Sequence, residues 1–180
     1  ERLHAFIAHD VLPLIPEEGS VGASGDLTPL SYVAATLAGE REVLFNGERR
    51  SSADVHRELG WTPLVLRPKE ALALMNGTAV MTGLACLAYA RADYLLKLAT
   101  RITALNVVAL QGNPEHFDER LFAAKPHPGQ LQVAAWLRQD LAIDAPTAPL
   151  HRLQDRYSLR CAPHVLGVLA DSLNWLRGFI

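Results

Sequence analysis

The sequence predicts a mostly α-helical protein, a segment of a long-helix bundle with one small β-hairpin. Three observations carry this. The stretch from about Ala79 to Gln111 reads as one long helix, apolar on nearly every face in its first half. Helix start and stop signals bracket other stretches, with Thr28-Pro29 opening one and Gly39 closing it. Only Val43 to Arg50 reads as a hairpin, with the turn pair Asn46-Gly47 at its centre.

In chain order, Leu3 to Leu12 reads as a short helix stopped by Pro13 and Pro16. Glu17 to Leu27 is a loop rich in glycine. A helix capped by Thr28 then runs to about Ala38. After the hairpin, Ser51 opens a short helix, with Asp54 three residues on as in a capping box. Pro68 starts a helical stretch through Met75, and Asn76-Gly77-Thr78 breaks it. Thr78 caps the long helix, which at about 1.5 Å per residue spans roughly 50 Å. Gly112 to Pro128 reads as irregular, Gln130 to Leu141 as helix, Asp144 to Pro149 as loop, and Pro163 begins a last helix.

Hydrophobic residues make up 49% and charged residues 20%, which suits helices buried on more than one side. The net charge is −2 with no basic block, so no nucleic-acid partner and no anionic membrane surface is expected. The longest apolar run, Ala79 to Ala90, closes at Arg91 and is too short to cross a bilayer. Two cysteines, Cys86 and Cys161, fit a reduced, cytoplasmic setting better than a disulfide scaffold. The histidines show no metal-ligand spacing, and no metal is expected. The chain opens at Glu1 without Met and stops at Ile180 within an apolar pattern, so it reads as part of something longer.

The chemistry concentrates in GSVGASGDLTPLSYVAATLAGE, Gly19 to Glu40. A glycine-rich loop before a helix is often a phosphate cradle. Here no lysine follows, the phosphate-loop pattern is absent, and Asp26 would repel a phosphate. The loop instead resembles the signature of the histidine, phenylalanine and tyrosine ammonia-lyase family. The resemblance implies that Ala23, Ser24 and Gly25 cyclise into 4-methylidene-imidazol-5-one. Ring closure needs the Gly25 nitrogen to reach the Ala23 carbonyl carbon. A small side chain at Ala23 and none at Gly25 permit that compression. Ser24 loses its hydroxyl to become the methylidene. Asp26 either caps the following helix or, by resemblance, holds the loop and takes protons during cyclisation, and the two roles are compatible.

Three further motifs resemble the same family. KEALALMNGTAV, Lys69 to Val80, carries Ala71 where the family has glycine, a change a helix tolerates. Asn76 is either a simple helix break or an amide placed beside electrophile and substrate. His127-Pro128-Gly129-Gln130 resembles a family turn, read here as a rigid entry to the next helix with no catalytic role for His127. QDRYSLRCAPHVLG, Gln154 to Gly167, implies Arg160 on the substrate carboxylate, Tyr157 near the electrophile in proton traffic, and Gln154 close by.

The resemblance implies the helical ammonia-lyase fold, shared with fumarase and aspartase, across the whole of 1–180. Residues 1–40 would hold the loop and its flanking helices, 41–67 the hairpin and a short helix, and 68–180 the long helices. It implies a cytoplasmic homotetramer that removes ammonia from an L-aromatic amino acid. NGTAVM and the HFDERLF stretch look closer to phenylalanine or tyrosine lyases, and YSLRC closer to histidine lyases; the first pair is favoured. An aminomutase using the same ring is the nearest rival. A non-catalytic homologue is the rival of another class, expected to lack Ser24, Tyr157 or Arg160, all present here. The segment alone is expected to leave its loop open and to be inactive.

Overall fold

The computed structural model describes residues 1–19, 25–144 and 153–180. They form two compact units, Glu1–Leu84 and Ala85–Ile180. The chain is mostly helical, as the sequence predicts, and the first unit also holds a small sheet.

The first unit opens with α1, Arg2–Ala8. The expected helix to Leu12 stops short, because Asp10 turns the chain at φ 52 and Val11–Pro13 becomes strand β1. Pro13 and Pro16 each press the residue before them toward extended backbone, which favours a strand here. β1 pairs antiparallel with β2, Glu42–Phe45, placing Val11 opposite Phe45. β2 pairs in turn with β3, Glu48–Ser51. Asn46 and Gly47 both take positive φ between them, as a tight hairpin turn demands. The predicted hairpin is thus real, but it belongs to a three-stranded sheet.

Above the sheet lie α2, Leu27–Leu37, α3, Ser52–Glu58, and α4, Glu70–Met75. Val11, Val43 and Phe45 of the sheet bury against Phe6, Leu37 and Val55. Two expected caps fall elsewhere. The α2 cap position is Asp26, not Thr28. Ser51 does occupy the cap of α3, but its side chain makes no capping bond. Asp54 is turned to Arg57 at 2.8 Å, so no capping box forms. The buried Ser52 hydroxyl instead donates to the Thr36 carbonyl at 2.8 Å and ties α3 to α2.

The helix α5, Ala79–Ala109, begins in the first unit and continues into the second. It ends in a left-handed residue, Gln111 at φ 52, with the Gly112 N–H bonded to the Val107 carbonyl at 2.8 Å. The segment expected to be irregular contains a 3-10 turn at Pro114–Phe117 and a short helix α6, Glu119–Ala123. Both insert a buried phenylalanine, Phe117 and Phe122. Then come α7, Pro128–Asp144, α8, Tyr157–Arg160, and α9, Ala162–Arg177. Leu96, Val107, Val133, Leu137 and Leu173 share the core of this unit.

The His127-Pro128-Gly129-Gln130 turn owes its form to packing. Pro128 takes the first helical position of α7. The Gly129 N–H donates to the Asp171 carboxylate of α9 at 2.7 Å. A Cβ on Gly129 would collide with the Gly167 carbonyl, and one on Gly167 would lie 2.6 Å from the Gln130 nitrogen. Two glycines therefore let α7 and α9 touch backbone to backbone.

The first half of α5 departs from expectation. It was read as buried all round, yet Met81, Leu84 and Leu87 are 57%, 62% and 60% exposed. Nothing among the described residues covers these side chains. The reading from run length also falls short. The helical stretch 70–109 is, by length and composition, long and apolar enough to cross a membrane, because Arg91 interrupts the run without ending the apolar helix.

Two predictions follow from this packing. Gly167→Ala should lower the stability of the full-length protein by about 1–3 kcal/mol, since backbone must shift to admit the methyl; the urea midpoint measures it, and an unchanged midpoint would refute the close approach. The second concerns His56, whose ring is buried between Phe6 and Trp61. Neither ring nitrogen makes a well-formed hydrogen bond among the described residues, and the Thr36 backbone offers only weak support. Burial, and then the charge of Arg2, hold its pKa below the ordinary value near 6.5. Below about pH 6.5 the unfolded chain takes up a proton that the folded chain refuses, so stability is full above that pH and falls as pH drops. Thermal melts of the full-length protein at pH 7.5 and 5.5 should show this loss, and His56→Phe should shrink it.

Candidate active site

In the first unit the loop meets two helix starts. Gly25 takes φ +75, a left-handed conformation that glycine adopts without strain, and a Cβ there would meet nothing within 4 Å. Asp26 follows, 5% exposed, at the cap position of α2. Its carboxylate does not cap α2. It accepts the Met81 N–H in the first turn of α5 at 3.0 Å, across 55 residues of sequence. The Leu30 N–H bonds the Asp26 carbonyl at 3.0 Å, so backbone and side chain of one residue start two helices. A carboxylate at the positive ends of two helices is also well placed electrostatically. The expected Asp26 cap is therefore a cap, but of another helix.

Asn76 ends α4 in extended backbone, with φ −84 and ψ 102. Its side-chain amide donates to the Leu72 carbonyl at 3.1 Å, a local bond that closes the helix end. This bond uses one donor and leaves the side-chain oxygen exposed on the same unit as Asp26. Of the expected loop residues, Ala23 and Ser24 lie outside the described residues.

In the second unit, Gln154, Tyr157 and Arg160 lie on and just before α8. Gln154 is exposed, and Tyr157 is 72% exposed, so its phenol is open to a ligand. The Arg160 guanidinium lies over the Tyr157 ring, 4.2 Å from its centre. Arg160 Nε donates to the Asp155 carbonyl at 3.0 Å. Asp155, to which the sequence reading gave no role in the site, stands at the centre. The Asp155 carboxylate accepts the Asn113 N–H at 2.6 Å, and the Asp155 N–H donates to His116 Nε2 at 3.1 Å. Asp155 stands inside the QDRYSLR motif, but its partners lie 42 and 39 residues upstream, where sequence alone offers no pairing signal.

Chemically, the first unit offers Gly25 and a buried Asp26 at two helix starts, and the second a guanidinium held flat beside an accessible phenol. Among the described residues no cluster of side chains has the make-up of a metal site. Cys86 and Cys161 are both free thiols.

A model described as aromatic amino acid lyase matches residues 1–180. The histidine ammonia-lyase of Koribacter versatilis (strain Ellin345) is 44% identical over 180 residues, which are 98% of this chain and 35% of that protein. Among solved structures, the phenylalanine aminomutase of Pantoea agglomerans is similar with a TM-score of 0.88 at 33% identity, over 98% of this chain and 38% of that one. The histidine ammonia-lyase of Trypanosoma cruzi gives a TM-score of 0.80 at 38% identity, over 96% and 32%. The chain spans about a third of the length of the curated relatives it matches.

The Asp26 bond makes a direct prediction. Asp26→Ala in the full-length protein leaves the Met81 N–H without its acceptor and should cost about 1–3 kcal/mol. Asp26→Asn keeps an acceptor oxygen and should recover at least half of that. Denaturant midpoints of the three proteins test it, and an Asp26→Ala midpoint equal to the unsubstituted one would overturn the bond's role.

Proposed function

The chain belongs to the aromatic amino acid lyase family, and on that premise we propose that the full-length protein eliminates ammonia non-hydrolytically from an L-aromatic amino acid. The observation that carries this is the Ala23-Ser24-Gly25-Asp26 run, with Gly25 at positive φ and Asp26 fastened to the start of α5. Those two residues fit the tight turn that a 4-methylidene-imidazol-5-one made from Ala23, Ser24 and Gly25 would require. Once formed, that group supplies an electrophile that takes the substrate amine and turns it into a leaving group.

The chain's own residues would do the rest. Arg160 pairs with the substrate carboxylate through its planar fork. Tyr157, stacked under that guanidinium and exposed, carries a phenol that can give or take a proton beside the reacting carbon. Asn76 and Gln154 each carry an amide that can hydrogen-bond a substrate. The starts of α2 and α5, met at Asp26, provide positive dipole ends where negative charge develops.

For the substrate, the curated relatives favour histidine. The first matches are histidine ammonia-lyases at 41–45% identity, which outweighs the NGTAVM likeness to phenylalanine and tyrosine lyases. An aminomutase is a second reading, favoured by the similarity to the tyrosine and phenylalanine aminomutase structures. We read the exposed apolar faces of α5 and α9 as surfaces for the remainder of the protein and for further copies in a cytoplasmic homotetramer, rather than for lipid or nucleic acid.

Assays on L-histidine, L-phenylalanine and L-tyrosine should show ammonia release, fastest from histidine, without accumulation of a β-amino acid. Ser24→Ala should abolish turnover, and Arg160→Lys should raise KM about tenfold while lowering kcat. Turnover by Ser24→Ala would refute the electrophile. Accumulation of β-amino acid would favour the aminomutase, and a preference for another amino acid would refute histidine.

A further inference from the structure

We infer that Asp155 is a positioning residue that fixes the carboxylate grip of Arg160, with Gly112, Asn113 and His116 holding Asp155 in place. The inference rests on the reading of Arg160 as the residue that meets the substrate carboxylate.

Asp155 is engaged in three directions at once. Its carboxylate accepts the Asn113 N–H at 2.6 Å, its own N–H donates to His116 Nε2 at 3.1 Å, and its carbonyl accepts Arg160 Nε at 3.0 Å. The side chains of His116 and Asp155 are 16% and 10% exposed, so water competes weakly for these bonds. The partner segment is itself rigid. Gln111 closes α5, and the Asn113 side chain accepts the Glu115 N–H at 2.9 Å to start the 3-10 turn. A Cβ on Gly112 would stand 2.8 Å from the Asp155 carboxylate, so glycine is what lets that carboxylate lie against the backbone.

The consequence falls on Arg160. Its plane is set by the Tyr157 ring and its Nε is committed to the Asp155 carbonyl. Neither terminal nitrogen is hydrogen-bonded or ion-paired among the described residues. The fork therefore meets a carboxylate end-on, through Nη1 and Nη2 together. Displacing Asp155 frees Nε, lets the guanidinium rotate, and loses the two-point match.

Calorimetry on the full-length protein separates this from a general loss of structure. The probes are trans-3-(imidazol-4-yl)acrylate, which carries the carboxylate, and histamine, which lacks it. Asp155→Ala, which removes the acceptor of the Asn113 N–H, should weaken acrylate binding about tenfold and leave histamine within about twofold. KM for L-histidine should rise by a similar factor while kcat changes less. In an Arg160→Ala background the same substitution should change acrylate binding by less than about twofold, because the group it positions is gone. Should Asp155→Ala fail to fold, His116→Ala, which removes only the acceptor of the Asp155 N–H, should show the same selectivity at smaller size. Equal weakening of both probes, unchanged acrylate binding, or full additivity with Arg160→Ala would overturn the inference. If the unsubstituted protein binds neither probe, trans-cinnamate and phenethylamine replace them. Failure of both pairs would overturn the proposed function itself, and this inference with it.

Discussion

The bond from the Met81 N–H to the Asp26 carboxylate joins the starts of α2 and α5 and is the interaction on which the first unit's motif residues depend. A helix start leaves N–H groups without partners, and glycine, as at Gly25, restricts the backbone little by itself. One buried carboxylate answers both needs. It fills an open donor of α5 and fixes the residue that follows Gly25. Gly25 thereby gains a fixed neighbour, and the ring closure proposed above would need such a boundary, since backbone strain persists only where the surroundings enforce it.

The same device recurs in the second unit. Asp155 reaches back to the Asn113 N–H and Asp171 to the Gly129 N–H, each across 42 residues. In each case a short carboxylate side chain takes a backbone N–H at a turn or helix start, and a glycine stands where a side chain would block the approach. Hydrogen bonds to a charged acceptor are stronger than neutral ones, so a few of them can hold geometry that apolar packing alone leaves loose. In both units, residues next to the family motifs are thus held by carboxylates that reach across long stretches of sequence.

Much of this was legible in the sequence. The helices from Thr28, Ala79 and Pro163 carry start signals and were placed within a few residues, and Asn46-Gly47 marked its turn. The four motifs pointed to the family across the whole chain, and the comparisons agree. What was not legible has a common cause. β1 was missed because three residues carry no alternation of their own and become a strand only by pairing with β2. The role of Asp155 was missed because its partners lie far upstream. Local reading put the Asp26 side chain on α2 and a capping box at Ser51, since near partners are the only ones a sequence displays. The exposed face of α5 was read as buried because composition registers how apolar a helix is, not whether its covering partners are in the chain.

Intact mass, read on the full-length protein and on the 180-residue chain side by side, tests the central claim most directly. Closing Ala23, Ser24 and Gly25 into the ring expels two waters, a loss of about 36 Da localised to the peptide holding Gly19 to Glu40. The account predicts that loss in the active full-length protein and the plain sequence mass in the isolated chain, which lacks most of the structure that would hold the strain. A full-length protein that releases ammonia while keeping its plain sequence mass would contradict it.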